Sequence, residues 1–290
     1  MRVSEGPGVR GRLTACALLA ALLAGCGGDP DPVALPAVPR RVICASPAVA
    51  EIVWALGCGD RVVGVSSFTD FPPEAREKPV IGGALAPAGE RILGLKPDLI
   101  LSQGQSEALA AFARRHRIAF YTVPLDALGD VQAALSRYGA VLGVSPRAEK
   151  LRREMEAGLA AIPRREPVSV FLALGHAPGD LSGLMTAGRG TFLHELMGIA
   201  GGSNVFSDLS LPWPRISRES LIRRAPAVIL DVQAVASDEA RRAALVGDWE
   251  RVGFSAGQVR ILDEEYLLRP GPRAVLAARC MADALAMPFP

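Results

Sequence analysis

The chain of 290 residues has few of the residues from which metal sites are built. It contains only three histidines, His116, His176 and His194, and five cysteines. The histidines are scattered, and none of them lies in a Cys/His cluster with metal-ligand spacing. This distribution argues against a dedicated zinc or iron site made by the protein, and we expect no resident cofactor.

The common signatures of catalysis are also missing from the sequence. No serine has the context of a nucleophile elbow, and no glycine-rich phosphate loop opens a helix. Glu264 and Glu265 are the only paired carboxylates that stand out. The sequence therefore does not support an enzyme and favours a protein that binds without chemistry.

The charge balance gives no reason to expect a nucleic-acid partner. The whole chain has 32 basic and 30 acidic residues, for a formal net charge of +2. Without residues 1–25 it has 29 of each and is formally neutral. A neutral chain has no basic excess to attract a phosphate backbone.

The N-terminus has the organisation of an export signal. Three arginines in the first twelve residues precede an apolar run of about eleven residues, Leu13 to Leu23, which is too short to span a bilayer. The next residues, up to Gly25-Cys26, resemble the lipobox of bacterial lipoproteins. That resemblance implies a signal peptide over residues 1–25, a diacylated Cys26 and an exported lipoprotein anchored on the periplasmic or cell-surface side of a membrane. The alternative is a plain secretory signal with a chance cysteine.

The segment after Cys26 and the remaining cysteines fit an exported chain. Residues 26–39 are rich in Gly, Pro and Asp and are interpreted as a tether. Cys44, Cys58 and Cys280 would remain in the mature protein, so at most one disulfide can form. We expect a buried free thiol for at least one of Cys44 and Cys280.

Two regions alternate short apolar runs with helical patterns, residues 40–127 and residues 164–290. This alternation is typical of βα units around a mainly parallel sheet. Residues 128–163 stay helical, with one interruption at Gly143 to Pro146. The prediction is an α/β fold of two lobes, each a mainly parallel sheet flanked by helices, joined by one long connecting helical segment.

A short pattern occurs in both predicted lobes. Glu90 to Leu101 and Glu219 to Leu230 each have an acidic helix start, two helical turns, a proline and a buried strand. One glutamate in a first helical turn is explained by the helix dipole alone. Because the two glutamates occupy equivalent places, we expect them to dock on arginines of a partner with matching pseudo-twofold symmetry.

Candidate ligand-binding residues lie in loops at the carboxyl ends of strands, where ligands bind in open α/β sheets. Trp213 is the most informative, because prolines on both sides fix a flat surface that can stack on a ring system, although it could instead pack under its own loop. His176 could donate to a ligand, ligate the metal of a haem or corrin, or make an ordinary polar contact. Phe68, Phe71 and Tyr266 either line a cleft or fill a core. The remaining candidates are Ser46, Pro47, Gln103 and Arg269.

Several motifs, in this order, resemble one known family: Arg40 to Ile43 with Ser46-Pro47, Thr69 to Ala75, Glu90 to Leu101, Gly201 to Phe206, and Pro212 to Glu219. They are similar to the periplasmic solute-binding proteins of ABC importers for cobalamin and ferric siderophores, the class III binding proteins. The Asp70-Phe71-Pro72-Pro73 stretch, and Trp213-Pro214 followed by Ser217-Arg218-Glu219, look most like the cobalamin-binding members.

The resemblance implies two lobes joined by one long helix, small opening motions and a ligand held between the lobes. It implies that Glu90 and Glu219 dock on the permease of an ABC permease and ATPase complex, that the ligand is cobalamin or a related corrinoid, and that the protein is a monomer. Arg269 would meet a carboxylate or phosphate of the ligand. The alternatives are a ferric siderophore or haem, with Tyr266 or His176 on iron, a chelatase-like enzyme, or a receptor that reports ligand to a membrane sensor.

Overall fold

The computed structural model describes residues 33–83, 86–233 and 238–288. The predicted signal peptide, the predicted lipidation site Cys26 and the first part of the predicted tether lie outside the described residues. Within the described ranges, no helix combines the length and apolarity that crossing a membrane requires. The fold is α/β, as the sequence predicts, with two four-stranded parallel sheets and one additional two-stranded sheet.

The first sheet and its helices form the N-terminal lobe. Its strands are β1 (Val42–Cys44), β2 (Val62–Val65), β3 (Leu99–Gln103) and β4 (Ala119–Val123), in the order β2-β1-β3-β4 with parallel pairing throughout. Its helices are α1 (Pro47–Ala55), α2 (Gly89–Gly94) and α3 (Glu107–Arg115). The strands β1, β2 and β3 are short and almost entirely buried, which explains why they read as apolar runs in the sequence. The edge strand β4 is buried only at its two ends.

Two long helices follow, α4 (Leu128–Val141) and α5 (Ser145–Ala160), and they pack against each other. Gly143 lies between them with a φ of +72°, a left-handed conformation that glycine adopts without steric cost. Pro146 stands in the first turn of α5, where its missing N–H is no loss. The predicted interruption of the helical segment is therefore confirmed.

The second large sheet forms the C-terminal lobe. Its strands are β5 (Val168–Leu174), β7 (Gly202–Asn204), β9 (Val228–Val232) and β10 (Val259–Leu262), in the order β10-β9-β5-β7, again all parallel. Its helices are α6 (Phe192–Ile199), α7 (Arg218–Arg224), α8 (Glu239–Arg251) and α9 (Ala274–Ala286). A small antiparallel sheet pairs β6 (Leu184–Met185) with β8 (Arg215–Ile216). The limits predicted for the lobes, residues 40–127 and 164–290, stay predictions.

The two large sheets have the same topology. In each, the strand that comes first in the lobe lies between the second and the third, and the fourth lies outside the third. The matched patterns of the sequence lie at matched places, because α2 leads into β3 and α7 leads into β9. The residue before the proline also has the same left-handed backbone conformation in both lobes, with a φ of 47° at Lys96 and of 42° at Ala225.

The largest apolar core is shared by the two lobes. It includes buried residues of α1 and β1, of the helices α4 and α5, and of β5, α6 and α9. Two smaller cores lie under the outer faces, one in each lobe. Cys44, Cys58 and Cys280 are all free, and burial raises the pKa of the Cys44 thiol.

Candidate functional site

The topology places one ligand-binding edge on each lobe. In an open parallel sheet, neighbouring strands whose connections leave in opposite directions open a crevice at their carboxyl ends. That point lies between β1 and β3 in the N-terminal lobe and between β5 and β9 in the C-terminal lobe. The residues that follow these four strands are therefore the main candidates for contact with a ligand.

A cleft of about 550 Å³ runs between residues of the two lobes. The N-terminal lobe contributes Pro47, Ala48, Phe68, Asp70 and Gln103, and the C-terminal lobe contributes Gln233, Glu264, Glu265, Leu268, Arg269 and Pro270. Four of the residues selected from the sequence are brought together here, namely Pro47, Phe68, Gln103 and Arg269.

Ser46 and Gln103 connect the two strand ends of the N-terminal lobe. The hydroxyl of Ser46 accepts a hydrogen bond from the backbone N–H of Val49 at 3.2 Å and so caps α1, while Pro47 takes the first helical position. The same hydroxyl donates to Oε1 of Gln103 at 2.8 Å. This contact engages the acceptor oxygen of the Gln103 amide, and the exposed Gln103 side chain lines the cleft.

Phe68 and Phe71 have different surroundings, although they stand three residues apart. Phe68 is 90% exposed at the cleft and has a φ of 66°, in the left-handed region that bulky residues rarely adopt. The turn is held by a 2.9 Å hydrogen bond between the buried hydroxyls of Ser66 and Thr69. Exposure of a large aromatic side chain together with an unfavourable backbone conformation is typical of a ligand-contact position.

Phe71 belongs instead to a bridge between the lobes. The guanidinium carbon of Arg273 lies 3.5 Å from the centre of the Phe71 ring. Arg273 also donates from Nη2 to the buried carboxylate of Glu51 on α1 at 2.8 Å, and from Nη2 to Glu265 at 2.9 Å. Burial lowers the pKa of Arg273, but the hydrogen bonds that it donates to Glu265 and Glu51 outweigh burial and raise the pKa overall. The bridge therefore joins Arg273 of the C-terminal lobe to Glu51 and Phe71 of the N-terminal lobe.

Arg269 forms a second contact across the cleft. It pairs with Asp70 of the N-terminal lobe, and its Nη1 lies 3.4 Å from the carboxylate of Glu265. Nη1 is buried and makes no hydrogen bond within the part of the chain that the structure describes. Arg269 is therefore partly neutralised by two carboxylates, one from each lobe.

Tyr266 is half-buried against the main core rather than open to the cleft. Its hydroxyl is in hydrogen-bond contact with the thiol of Cys280, and burial raises the pKa of Tyr266 to about 12. A phenol with this pKa is neutral at physiological pH, and forming the tyrosinate that binds ferric iron would be costly here.

His176 follows β5 and is held by a buried carboxylate. Its side chain is only 3% exposed, and its Nε2 lies 2.7 Å from Oδ2 of the fully buried Asp231. Asp231 also accepts from Nε1 of Trp249 at 2.8 Å and from Nε2 of Gln233 at 2.7 Å. The other ring nitrogen, Nδ1, lies 3.2 Å from the carbonyl oxygen of Ala177. Both ring nitrogens of His176 are thus engaged inside the lobe.

The charge of this cluster follows from its geometry. Burial lowers the pKa of His176, but the hydrogen bond and the charge of Asp231, with the Ala177 carbonyl, raise it above its ordinary value overall. Because both ring nitrogens of His176 face acceptor oxygens, neither directs a free lone pair toward a metal in this geometry. Within the described residues, no group of three His, Cys, Asp or Glu side chains is arranged to hold a metal ion.

Trp213 lies in a turn fixed to a neighbouring segment. The backbone N–H of Gly188 donates to the Pro212 carbonyl at 2.7 Å, and that of Thr186 donates to the Pro214 carbonyl at 3.1 Å. A Cβ on Gly188 would lie 2.1 Å from the Leu211 carbonyl oxygen, so this approach requires glycine. Trp213 is 39% exposed and is not among the described residues that line the 550 Å³ cleft.

Glu90 and Glu219 occupy equivalent surface positions. Each is the second residue of its short helix, α2 or α7, and each is exposed. Neither carboxylate forms an ion pair with a described residue. Hydrogen bonds from its own backbone N–H and from the Ser217 hydroxyl lower the pKa of Glu219.

Several residues of the cleft and its floor were not selected from the sequence. Glu51, Asp70, Asp231 and Arg273 act through partners that are remote in the chain, and Gln233 acts through Asp231, two residues before it. The one local signal was Asp231, a carboxylate inside the apolar run Val228 to Val232. A charged residue within a buried strand predicts a buried partner.

Comparison with known proteins gives a consistent result. The family described as "Periplasmic binding protein" matches residues 42–243. The "Vitamin B12-binding protein" of Photorhabdus laumondii is 31% identical over 259 residues, which cover 86% of this chain and 89% of the relative. The crystal structure of a periplasmic vitamin B12 binding protein of Vibrio cholerae is 25% identical, with a TM-score of 0.67, and covers 86% of this chain and 98% of its own. A periplasmic heme binding protein from Pseudomonas aeruginosa is also 25% identical, with a TM-score of 0.71, and the match covers 85% of this chain and 92% of that one.

Proposed function

The chain belongs to the periplasmic binding protein family, and from this premise we propose that it is the lipid-anchored substrate-binding component of an ABC importer. Its ligand is cobalamin or a related corrinoid, which it binds between the lobes and delivers to a membrane permease. The observation that carries the choice of ligand is the 31% identity to a relative named for vitamin B12 binding, over nearly the whole chain.

The groups around the cleft suit a large, flat, amide-bearing ligand. Phe68 offers an exposed ring at the cleft. Trp213, which lies outside the lining of the 550 Å³ cleft, would stack on a part of the macrocycle or its lower base that extends beyond this cleft. The amide of Gln103 and the guanidinium of Arg269 both line the cleft and carry hydrogen-bond donors. Donors of this kind match the carbonyl oxygens of the amide side chains of a corrinoid.

A haem or ferric siderophore is the second candidate, because a heme-binding protein of known structure is as similar as the vitamin B12 binding one. Iron in haem would need an axial side chain, and His176 and Tyr266 are the candidates from the sequence. Nε2 of His176 is engaged by Asp231, and the Tyr266 hydroxyl contacts Cys280. The described geometry therefore favours the corrinoid.

A titration tests the choice of ligand. The soluble form that starts after Cys26 would be titrated with cyanocobalamin, haemin and two ferric siderophores, following tryptophan fluorescence and heat. We expect saturable binding of cyanocobalamin with a dissociation constant of roughly nanomolar to micromolar. Binding of haemin or a ferric siderophore instead would retain the importer and discard the corrinoid. No binding of any of the four would contradict both.

The role of Trp213 has its own test. Trp213→Ala should weaken cyanocobalamin binding by more than about tenfold, because an aromatic anchor is lost. Trp213→Phe is the matched control, since it keeps a flat ring between the two prolines and should retain most of the affinity. An unchanged affinity in Trp213→Ala would remove this residue from the ligand site.

Delivery to the permease rests on Glu90 and Glu219. Their unpaired carboxylates are expected to meet arginines of the permease at pseudo-twofold positions. Charge reversal of both residues to lysine should abolish cyanocobalamin uptake while the affinity for cyanocobalamin stays unchanged. Loss of affinity together with uptake would indicate a damaged protein, and full uptake would refute docking through these residues.

The anchor is tested at Cys26. Labelling of growing cells with a fatty-acid analogue should mark the wild-type chain and leave Cys26→Ser unmarked. Equal labelling of both would exclude lipidation at this residue. Stimulation of a membrane sensor without uptake would favour the receptor role, and turnover of a bound tetrapyrrole would favour a chelatase-like enzyme.

A further inference from the structure

The outer surface of each lobe carries an exposed aliphatic side chain beside its glutamate. Leu93 follows Glu90 by three residues on α2, and Ile222 follows Glu219 by three residues on α7. Residues three apart lie on the same face of a helix. Leu93 is 41% exposed and Ile222 is 51% exposed. The two lobes therefore repeat a pair of side chains, one acidic and one apolar.

Each pair lies beside an apolar groove. The groove at Leu93 has a volume of about 500 Å³ and runs between α2 and α3, where Ala108, Ala111 and Phe112 form its wall. The groove at Ile222 has a volume of about 300 Å³ and runs between the end of α7 and the turn after α8, against Val252 and Phe254.

The two grooves occupy equivalent places in the fold. The helices α2 and α3 stand before and after β3, and α7 and α8 stand before and after β9. Both β3 and β9 are the third strand of the shared topology. Chance exposure of an aliphatic side chain is common on protein surfaces and needs no explanation. Here, however, an aliphatic side chain is exposed at the same position of both lobes, each time next to a groove and a glutamate. This repetition requires an explanation.

The charges on this surface indicate what covers it. Neither glutamate forms an ion pair within the described ranges, and the nearby Arg91 donates instead to the Val80 carbonyl oxygen at 2.6 Å. Arg115 lines the groove beside Glu90, and Arg218 and Arg223 act on Glu219 through their charge, but neither glutamate is held in a close pair by them. Both exposed carboxylates are therefore available to basic side chains of a partner. Ion pairs in open water contribute little, and apolar contacts that exclude water around them strengthen them.

We propose that Leu93 and Ile222 are the apolar anchors of the surface that docks on the permease, and that the two grooves accept apolar side chains of the permease next to its basic residues. This inference rests on the proposed function. The occupant is a membrane protein whose outer face presents, at two pseudo-twofold positions, one basic and one apolar side chain.

The experiment measures import by the full chain in its own cells. A strain of the source organism without its chromosomal copy would express the full-length chain as wild type, as Leu93→Ser/Ile222→Ser, or as Glu90→Ala/Glu219→Ala. The initial uptake rate of radiolabelled cyanocobalamin would be compared at limiting ligand. We expect the serine variant to lose about tenfold in uptake, with unchanged cyanocobalamin affinity and unchanged melting temperature.

Leu276→Ser is the matched control, because Leu276 on α9 is 43% exposed and lies on neither groove. Its uptake should equal that of wild type. Normal uptake by the serine variant, with low uptake by the alanine variant, would overturn the anchors and leave the docking glutamates standing. Normal uptake by both variants, or uptake that does not depend on the wild-type chain, would overturn the proposed function as well. The inference would also be overturned if the wild-type chain forms a dimer in solution and the serine substitutions dissociate it. That result would show that a second copy of the chain covers this surface.

Discussion

Replacement of Asp231 by asparagine tests whether one buried carboxylate organises the floor of the C-terminal lobe. Asp231 is completely buried and accepts hydrogen bonds from His176, Trp249 and Gln233. Asparagine keeps the shape and one acceptor oxygen, but it removes the charge and turns an NH₂ group toward a donor. Loss of one partner of a buried ion pair costs about 3 to 5 kcal/mol. Because asparagine retains part of the hydrogen bonding, we expect the free energy of unfolding to fall by about 3 kcal/mol, at the lower end of that range.

The dependence of this loss on pH gives a sharper test. The pKa of His176 is raised in the folded protein, so the folded state holds this proton more tightly than the unfolded state. The contribution of His176 is complete below its unfolded pKa of about 6.5 and is lost as the pH rises through the higher folded value. The wild-type free energy of unfolding should therefore fall as the pH rises above about 6.5, and Asp231→Asn should lack this contribution.

The assay is denaturant unfolding of both proteins at a series of pH values. His194, whose pKa burial lowers, titrates alike in both proteins, so the difference between the two curves isolates His176. Asp208→Asn is the control, because Asp208 is 61% exposed in its pair with Arg224 and its loss should leave the free energy of unfolding nearly unchanged. A loss in Asp231→Asn below about 1 kcal/mol, or an unchanged dependence on pH, would refute the reasoning.

Three further predictions concern the cleft and its supports. Phe68→Ala should weaken cyanocobalamin binding by about tenfold in calorimetry and leave the melting temperature unchanged, because Phe68 is 90% exposed; a drop in melting temperature without loss of affinity would contradict this. Glu51→Gln should lower the free energy of unfolding, measured in denaturant, by about 3 kcal/mol, because it breaks a buried pair with Arg273. An unchanged free energy of unfolding would show that this bridge does not hold the lobes together. Gly188→Ala should cost about 2 kcal/mol and displace the Trp213 turn, seen as a shift in tryptophan emission; wild-type stability and emission would refute the close approach.

Much of the fold follows from local sequence pattern. The apolar runs at β1, β3, β5 and β9 are buried on both faces, and such runs are recognisable without knowledge of their neighbours. The β6 and β8 strands were not predicted, because two residues each are too short for any periodicity. The shared topology was indicated by the repeat around Glu90 and Glu219, but the strand order itself required the structure.

The site was less accessible to sequence reasoning, because its contacts join remote residues. His176 and Asp231 stand 55 residues apart, and Glu51 and Arg273 stand 222 residues apart. No local pattern identifies such partners. For the same reason, Arg269 was expected to meet an anionic group of the ligand, whereas in the structure its nearest carboxylate is Asp70 of the opposite lobe. The sequence left Phe68 and Phe71 equivalent, and the structure distinguishes them through exposure.

The core that the two lobes share has a consequence for how the protein loses its structure. Since α4, α5 and α9 contribute to the same apolar cluster as β1 and β5, neither lobe can melt without exposing the packing surface of the other. Heating should therefore give a single cooperative transition, with equal calorimetric and van't Hoff enthalpies. A polypeptide cut within α5 should yield two fragments that are unfolded separately and regain structure only when they are mixed.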